Sequence, residues 1–238
     1  MSQPFRHGAQ TTYESSICSG ISIRYAEDRL MIQTDKAFMT LSSALHGGGF
    51  GSADRFINRE VPLDYDCADP AHEFGLKLIE WGCPPHATLG FLTAAKLTHA
   101  SVIEANGDAF ALLCCVTAGT GNAARAGLAR PTYPAYAPGT VNMFLFIDGN
   151  LTAAAMVNAV ITATEAKTTA LQDCGIIDRL HGLPATGTTT DAIVVAASQT
   201  DKYGVSLPYA GAATTLGNAL GCLVYDAVTE AVSTQGEA

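Results

Sequence analysis

Residues 152–174, TAAAMVNAVITATEAKTTALQDC, contain seven alanines, and residues 211–227 set Gly211, Gly217 and Gly221 among further alanines. Helices with such small side chains gain contact only by bringing their backbones close to a neighbouring surface. The pattern predicts helices over 152–174 and 211–233, with a shorter one at about 70–82. Strands must supply the partner surface. Residues 21–34, ISIRYAEDRLMIQT, read as two short strands around Ala26-Glu27-Asp28-Arg29, and residues 99–116 as a hairpin turning at Asn106-Gly107-Asp108. Residues 139–148 and 191–197 read as two more strands. Hairpins joined to two long helices predict the α+β class. We expect a single domain over 1–238, in which a largely antiparallel or mixed sheet carries the small-residue helices on one face. Residues 1–20 are expected to be a poorly ordered or peripheral segment.

Hydrophobic residues make up 48% of the chain and charged ones 15%, enough for one extended core with little left for a solvated tail. The net charge of -9 disfavours nucleic acid or an anionic membrane as partner and suits a neutral or cationic small molecule. The first residues are polar, and no window reaches the ~18 apolar residues of a membrane span. Seven cysteines, two of them adjacent at Cys114 and Cys115, resemble no disulfide framework. These features predict a cytoplasmic protein without a membrane partner and leave homo-oligomerisation open. No metal site is expected, because the six histidines never fall at i, i+4 and no CxxC pair exists.

Four segments have the residue types for chemistry. In Leu41-Ser-Ser-Ala-Leu-His-Gly-Gly-Gly-Phe50, the amides of Gly47, Gly48 and Gly49 could hold an oxyanion. Ser42 and Ser43 add hydroxyls there, and His46 a base; a plain turn fits the same residues. In Val116-Thr-Ala-Gly-Thr-Gly-Asn-Ala-Ala-Arg-Ala-Gly127, the glycine spacing superficially matches a dinucleotide loop. Pro131 stops any following helix too early, and the expected acidic residue about 20 positions on is missing. Thr117, Asn122 and Arg125 remain as ligand-facing candidates. On the 152–174 helix, Lys167 falls inside the apolar arc and Glu165 at its edge. Lys167 either snorkels past the helix end or meets a carboxylate such as Asp191. In Pro184-Ala-Thr-Gly-Thr-Thr-Thr-Asp-Ala-Ile, Thr186 and Thr188 to Thr190 can brace a turn, and Asp191 opens a buried strand. A carboxylate at such a rim tends to be paired or used.

Taken together, LSSALHGGGFG (41–51), VTAGTGNAARAG (116–127), the block from Pro138 to Ile176, ATGTTTDAIVVAAS (185–198) and YAGAATTLGNALG (209–221) resemble the adenosylcobinamide amidohydrolase family of corrinoid salvage. The resemblance implies hydrolysis of the amide joining the corrin ring to its aminopropanol arm, giving adenosylcobyric acid. It implies an adenosylated corrinoid as partner and no separate cofactor, the cobalt belonging to the substrate. Tyr133 and Tyr136 are then candidates for a lid, and Ser42, Gly47, Gly48, Gly49, Thr117, Asn122, Arg125, Asn142 and Thr186 for substrate binding.

Two routes follow for the chemistry. Asp191 or Glu165 positions a water, the glycine amides hold the oxyanion, and Lys167 or His46 protonates the amine; or a hydroxyl of Ser42, Ser43 or Thr188 attacks. The sequence favours the water route, because no hydroxyl sits on a GxSxG-type elbow. A non-catalytic corrinoid-binding module is the alternative function.

Overall fold

The computed structural model describes residues 2–8, 10–132 and 139–237. Strand β1 (Thr12–Glu14) pairs with β2 (Ile21–Ala26), which turns through Glu27 and Asp28 into β3 (Arg29–Ser42). β3 runs eight residues beyond the expected end at Thr34. A register shift between Gln33 and Phe38 bends it, and past that point it exchanges β2 for a new neighbour. Bulges of this kind turn a strand through a corner.

Two strands absent from the sequence reading follow. β4 (Gly49–Glu60) folds back along β3, and β5 (Thr88–Thr93) lies parallel to β4. Helix α1 (Pro70–Glu80) makes the crossover, capped by Asp69, whose carboxylate accepts from the His72 amide, with Pro70 in the first turn. β6 (Ser101–Asn106) and β7 (Ala111–Ala118) form the expected hairpin. Its turn is longer than an Asn-Gly dipeptide: Asn106 pairs with Ala111, and the Gly107 amide donates to the Phe110 carbonyl at 2.9 Å.

β8 (Val141–Asp148), helix α2 (Ala153–Asp173), β9 (Ala192–Ala197) and helix α3 (Thr215–Thr234) complete the frame. The sheet order is β1-β2-β3-β9-β8-β7-β6, with β4 and then β5 on the other edge of β3. β9 and β8 are parallel, as are β4 and β5, so the nine-stranded sheet is mixed. The fold is a single-domain α+β structure.

Side chains alternate between two cores. Leu112, Cys114 and Val116 of β7, Met143, Leu145 and Ile147 of β8, and Val195 and Ala197 of β9 face α2 and α3. Leu113, Phe144, Phe146, Val194 and Ala196 face the opposite way, into the hollow of the curled sheet, where Ile23, Ile32, Phe56 and Phe91 meet them. Both helices lie on one face, as the α+β pattern predicted. Thr152 and Thr214 cap them, so α3 starts later than residue 211. A Cβ on Gly217 would lie 2.1 Å from the Gly211 carbonyl oxygen, which shows how closely the start of α3 meets the preceding backbone.

Part of the N-terminal segment is anchored in the core, while most of its other described residues up to Gly20 are exposed or half-buried. Phe5 is fully buried in the sheet hollow, and the Gln3 amide donates to the His99 carbonyl at 2.8 Å and the Thr234 hydroxyl at 2.7 Å.

Candidate functional site

Parallel pairing of β8 with β9 puts Ala192 beside Asn142, so Asp191 emerges next to the start of β8. The preceding loop is pinned on both sides. Gly187–Thr188 pairs with Ala123–Ala124, the Thr190 hydroxyl donates to the Gly139 carbonyl at 2.8 Å, and the Thr140 hydroxyl donates to the Thr190 carbonyl at 2.7 Å. The Asn122 amide donates to the Thr189 hydroxyl at 2.6 Å. The second and fourth sequence segments are therefore brought together by direct pairing.

Asp191 receives four donors. Its Oδ1 accepts from the Val141 amide at 3.1 Å and the Thr188 hydroxyl at 2.5 Å. Its Oδ2 accepts from the Thr188 amide at 3.1 Å and from the Lys167 ammonium. Lys167 does not snorkel: its side chain is 7% exposed and reaches inward from α2. Gly187 is required by space, since a Cβ there would sit 2.4 Å from Asp191 Oδ2 and 2.8 Å from Lys167 Nζ.

Asp191 stands where two cavities meet. The larger, about 1230 Å³, is lined by Asn122, Arg125, Thr186 and Thr188 along with Lys167 and Asp191. It exceeds the roughly 300–1,000 Å³ of ordinary small-molecule pockets, which suits a large ligand. Among the described residues Arg125, Arg130, Arg179 and Lys167 line it against Asp178 and Asp191, so this lining is basic although the whole chain is acidic. The smaller, about 370 Å³, is mostly apolar, with Val61, Leu63 and Phe91 beside Tyr65, Ser43 and Asp191.

The wall of the larger cavity rests on Asp178, a residue the sequence reading missed. Its buried carboxylate accepts from the Arg125 amide at 3.0 Å, the Leu180 amide at 2.9 Å and His181 Nδ1 at 2.8 Å. The His181 hydrogen bond foremost, with the two amides, holds its carboxyl down at about 2. His181 is shifted upward by the same contact, and its Nε2 donates to the Ala129 carbonyl at 3.0 Å. The only local signal was the Asp-x-x-His spacing in Asp178-Arg-Leu-His181.

Several predicted site residues lie elsewhere. The triple glycine forms the tip of the β3–β4 hairpin, where a Cβ on Gly48 would lie 2.4 Å from the Ala44 carbonyl oxygen and one on Gly47 2.7 Å from that of Thr88. His46 bridges to Gly90, donates from Nε2 to the Pro85 carbonyl at 2.9 Å and stacks on Phe74. Among the described residues, neither cavity lining includes His46, Gly47, Gly48 or Gly49. Ser42 donates to the Ile193 carbonyl at 2.8 Å, and the Ser43 hydroxyl, which does line the smaller cavity, accepts from the Ile193 amide at 3.1 Å. Glu165 is exposed on the outer side of α2 and lines neither cavity. Thr117 and Asn142 are buried in a polar seam across the sheet hollow. There Asn58 donates to the Thr117 hydroxyl, and Asn142 to Asn58 Oδ1, each at 2.8 Å. Tyr133 and Tyr136 lie outside the described residues.

Among the described residues no group of three His, Cys, Asp or Glu side chains is arranged to hold a metal ion. No described helix is long and apolar enough to cross a membrane.

The family model for adenosylcobinamide amidohydrolase matches residues 14–238. An adenosylcobinamide amidohydrolase of Methanosarcina mazei is 30% identical over 217 residues, covering 89% of this chain and 97% of that protein. One from Halobacterium salinarum is 33% identical over 198 residues, covering 80% of this chain and 79% of its own. An uncharacterized protein of Methanocaldococcus jannaschii is 35% identical over 161 residues, 60% of this chain and 62% of its own.

Proposed function

We propose, from the premise that the chain belongs to the adenosylcobinamide amidohydrolase family, that its substrate is adenosylcobinamide and its product adenosylcobyric acid. As a member of that family it is a hydrolase acting on an amide bond. In this reading the bond cut joins the corrin ring to the aminopropanol arm, the reaction serves corrinoid salvage in the cytoplasm, and cobalt enters only as part of the substrate.

One observation supports the reading above others: the Lys167–Asp191 pair, its lysine buried and its carboxylate partly so, lies on the wall of a cavity of about 1230 Å³. Amide hydrolysis needs a group that moves protons beside the carbonyl. A charge pair held at 7% and 15% exposure, yet open to a cavity of that size, supplies one. Exposed Leu128 and Leu180 on the same lining offer apolar contact for the face of a macrocycle, and Asn122 and Arg125 offer polar contacts for its amides.

The test is incubation of the purified protein with adenosylcobinamide, measuring released 1-aminopropan-2-ol and adenosylcobyric acid. Stoichiometric release supports the reading. Corrinoid binding with no release would make the chain a binding module instead.

A further inference from the structure

We propose that Thr188 is the nucleophile and that the reaction passes through a corrinoid ester on its hydroxyl. This rests on the amide-hydrolase reading above and replaces the water route that the sequence favoured.

A carboxylate has about four lone-pair sites. All four of Asp191 are occupied, by the amides of Val141 and Thr188, the Thr188 hydroxyl and the Lys167 ammonium. A water entering the cavity would first have to displace one of these donors. The Thr188 proton already points at Asp191 Oδ1 across 2.5 Å, within the range of a charge-assisted O–H···O bond. Thr188 lines the larger cavity, where the substrate carbonyl would lie. Nucleophile, base and a third group that orients the base form the constellation expected of an activated hydroxyl. The Thr188 hydroxyl also accepts from the Thr190 amide at 3.3 Å, which orients it. What sets it apart from its neighbours is the carboxylate it donates to: Thr190 donates to the Gly139 carbonyl, Thr186 to the Ala124 carbonyl at 3.5 Å, and Thr189 accepts from Asn122.

In the first half-reaction the Thr188 oxygen bonds to the carbonyl carbon while its proton passes to Asp191 Oδ1. The tetrahedral adduct then collapses, the C–N bond breaks, and the proton held on Asp191 moves to the departing amine. The acylated Thr188 has no O–H left to donate, so an Oδ1 site of Asp191 falls vacant. A water can now occupy that site, lose its proton to Asp191 and cleave the ester, and the proton returns to Thr188. One water is consumed, and one acid and one amine are formed. Lys167 is a positioning residue here, fixing Asp191 through Oδ2.

The experiment acid-quenches the protein during turnover of adenosylcobinamide and follows corrin absorbance on the denatured chain. A second arm adds hydroxylamine, and a third measures amine release by Thr188→Val and Thr188→Ser. We expect protein-bound corrin mapping to the peptide that contains Thr188, and conversion of product to a corrinoid hydroxamate. Thr188→Val, isosteric but without the hydroxyl, should lose at least about 10³-fold of the rate. Thr188→Ser should keep a measurable share of it. A folded Thr188→Val protein retaining more than about a tenth of wild-type turnover would overturn the proposal while leaving the amidohydrolase reading intact. Wild-type protein releasing no amine would overturn both.

Discussion

Lys167 on helix α2 and Asp191 at the entry of strand β9, 24 residues apart in sequence, meet as an ion pair against Gly187, the lysine buried and the carboxylate partly so. Three elements must be in register for that contact to exist. Removing one partner of a buried pair leaves the other charge uncompensated, at a cost of about 3–5 kcal/mol. Asp191 is only partly buried and can be solvated from the cavity, so we expect Lys167→Met alone to lower unfolding free energy by an amount at or below the low end of that range. The double variant Lys167→Met, Asp191→Leu should be less destabilised than the sum of its singles, a coupling visible in denaturant titrations. Additive losses would show that the two side chains do not interact.

Asp191→Asn keeps the shape of the side chain and removes the base. Turnover of adenosylcobinamide should fall by about 10²-fold to 10⁴-fold, the range for loss of an acid–base group. Nearly full activity in the folded variant would remove Asp191 from the chemistry.

Gly187→Ala should separate the pair, because the added carbon lands on Asp191 Oδ2 and Lys167 Nζ. The expected outcome is at least a tenfold loss of kcat, the smaller end of what misplacing a catalytic group costs. Gly75→Ala is the control. Gly75 lies inside α1 with nothing within 4 Å of its would-be Cβ, so this change should stabilise by roughly 0.5–1 kcal/mol and leave kcat alone.

The Asp178–His181 contact predicts a pH window for stability. Asp178 titrates lower in the folded state, so its contribution is present above its unfolded value of about 3.9 and is lost as pH falls toward about 2. His181 is shifted upward, so its contribution is complete below about 6.5 and is lost as pH rises through the folded value. Both ring nitrogens face acceptors, which only the doubly protonated ring satisfies. The gap in Tm between wild type and His181→Gln should be widest between about pH 4 and 6.5 and shrink above that. A constant gap from pH 5 to pH 9, measured by thermal unfolding, would contradict it.

Phe5→Ala should cost about 3–5 kcal/mol, the usual loss for a fully buried phenylalanine. A surface segment would show almost none of that.

The sequence by itself determined the local features. Small-residue composition located α2 and α3, and apolar runs bounded by turn residues located β2, β6, β7, β8 and β9, because turn chemistry and apolar patterning are encoded locally. Lys167 and Asp191 stood out for the same reason, each a charge at an apolar position of its own element. β4 escaped notice because Gly49, Gly51, Asp54, Arg55 and Arg59 interrupt its pattern, and its partners β3 and β5 are what make it a strand.

Only the tertiary structure decided which polar residues share a cavity. His46 and Thr117 have the same side chains wherever they sit, but curling of the sheet turned the first toward Pro85 and sealed the second beneath Asn58. The Asp178–His181 brace was likewise invisible until its Arg125 and Ala129 partners were brought across the loop. Direction of a side chain depends on the bend of the strand and the packing of distant neighbours, and these are settled by burial of the whole core.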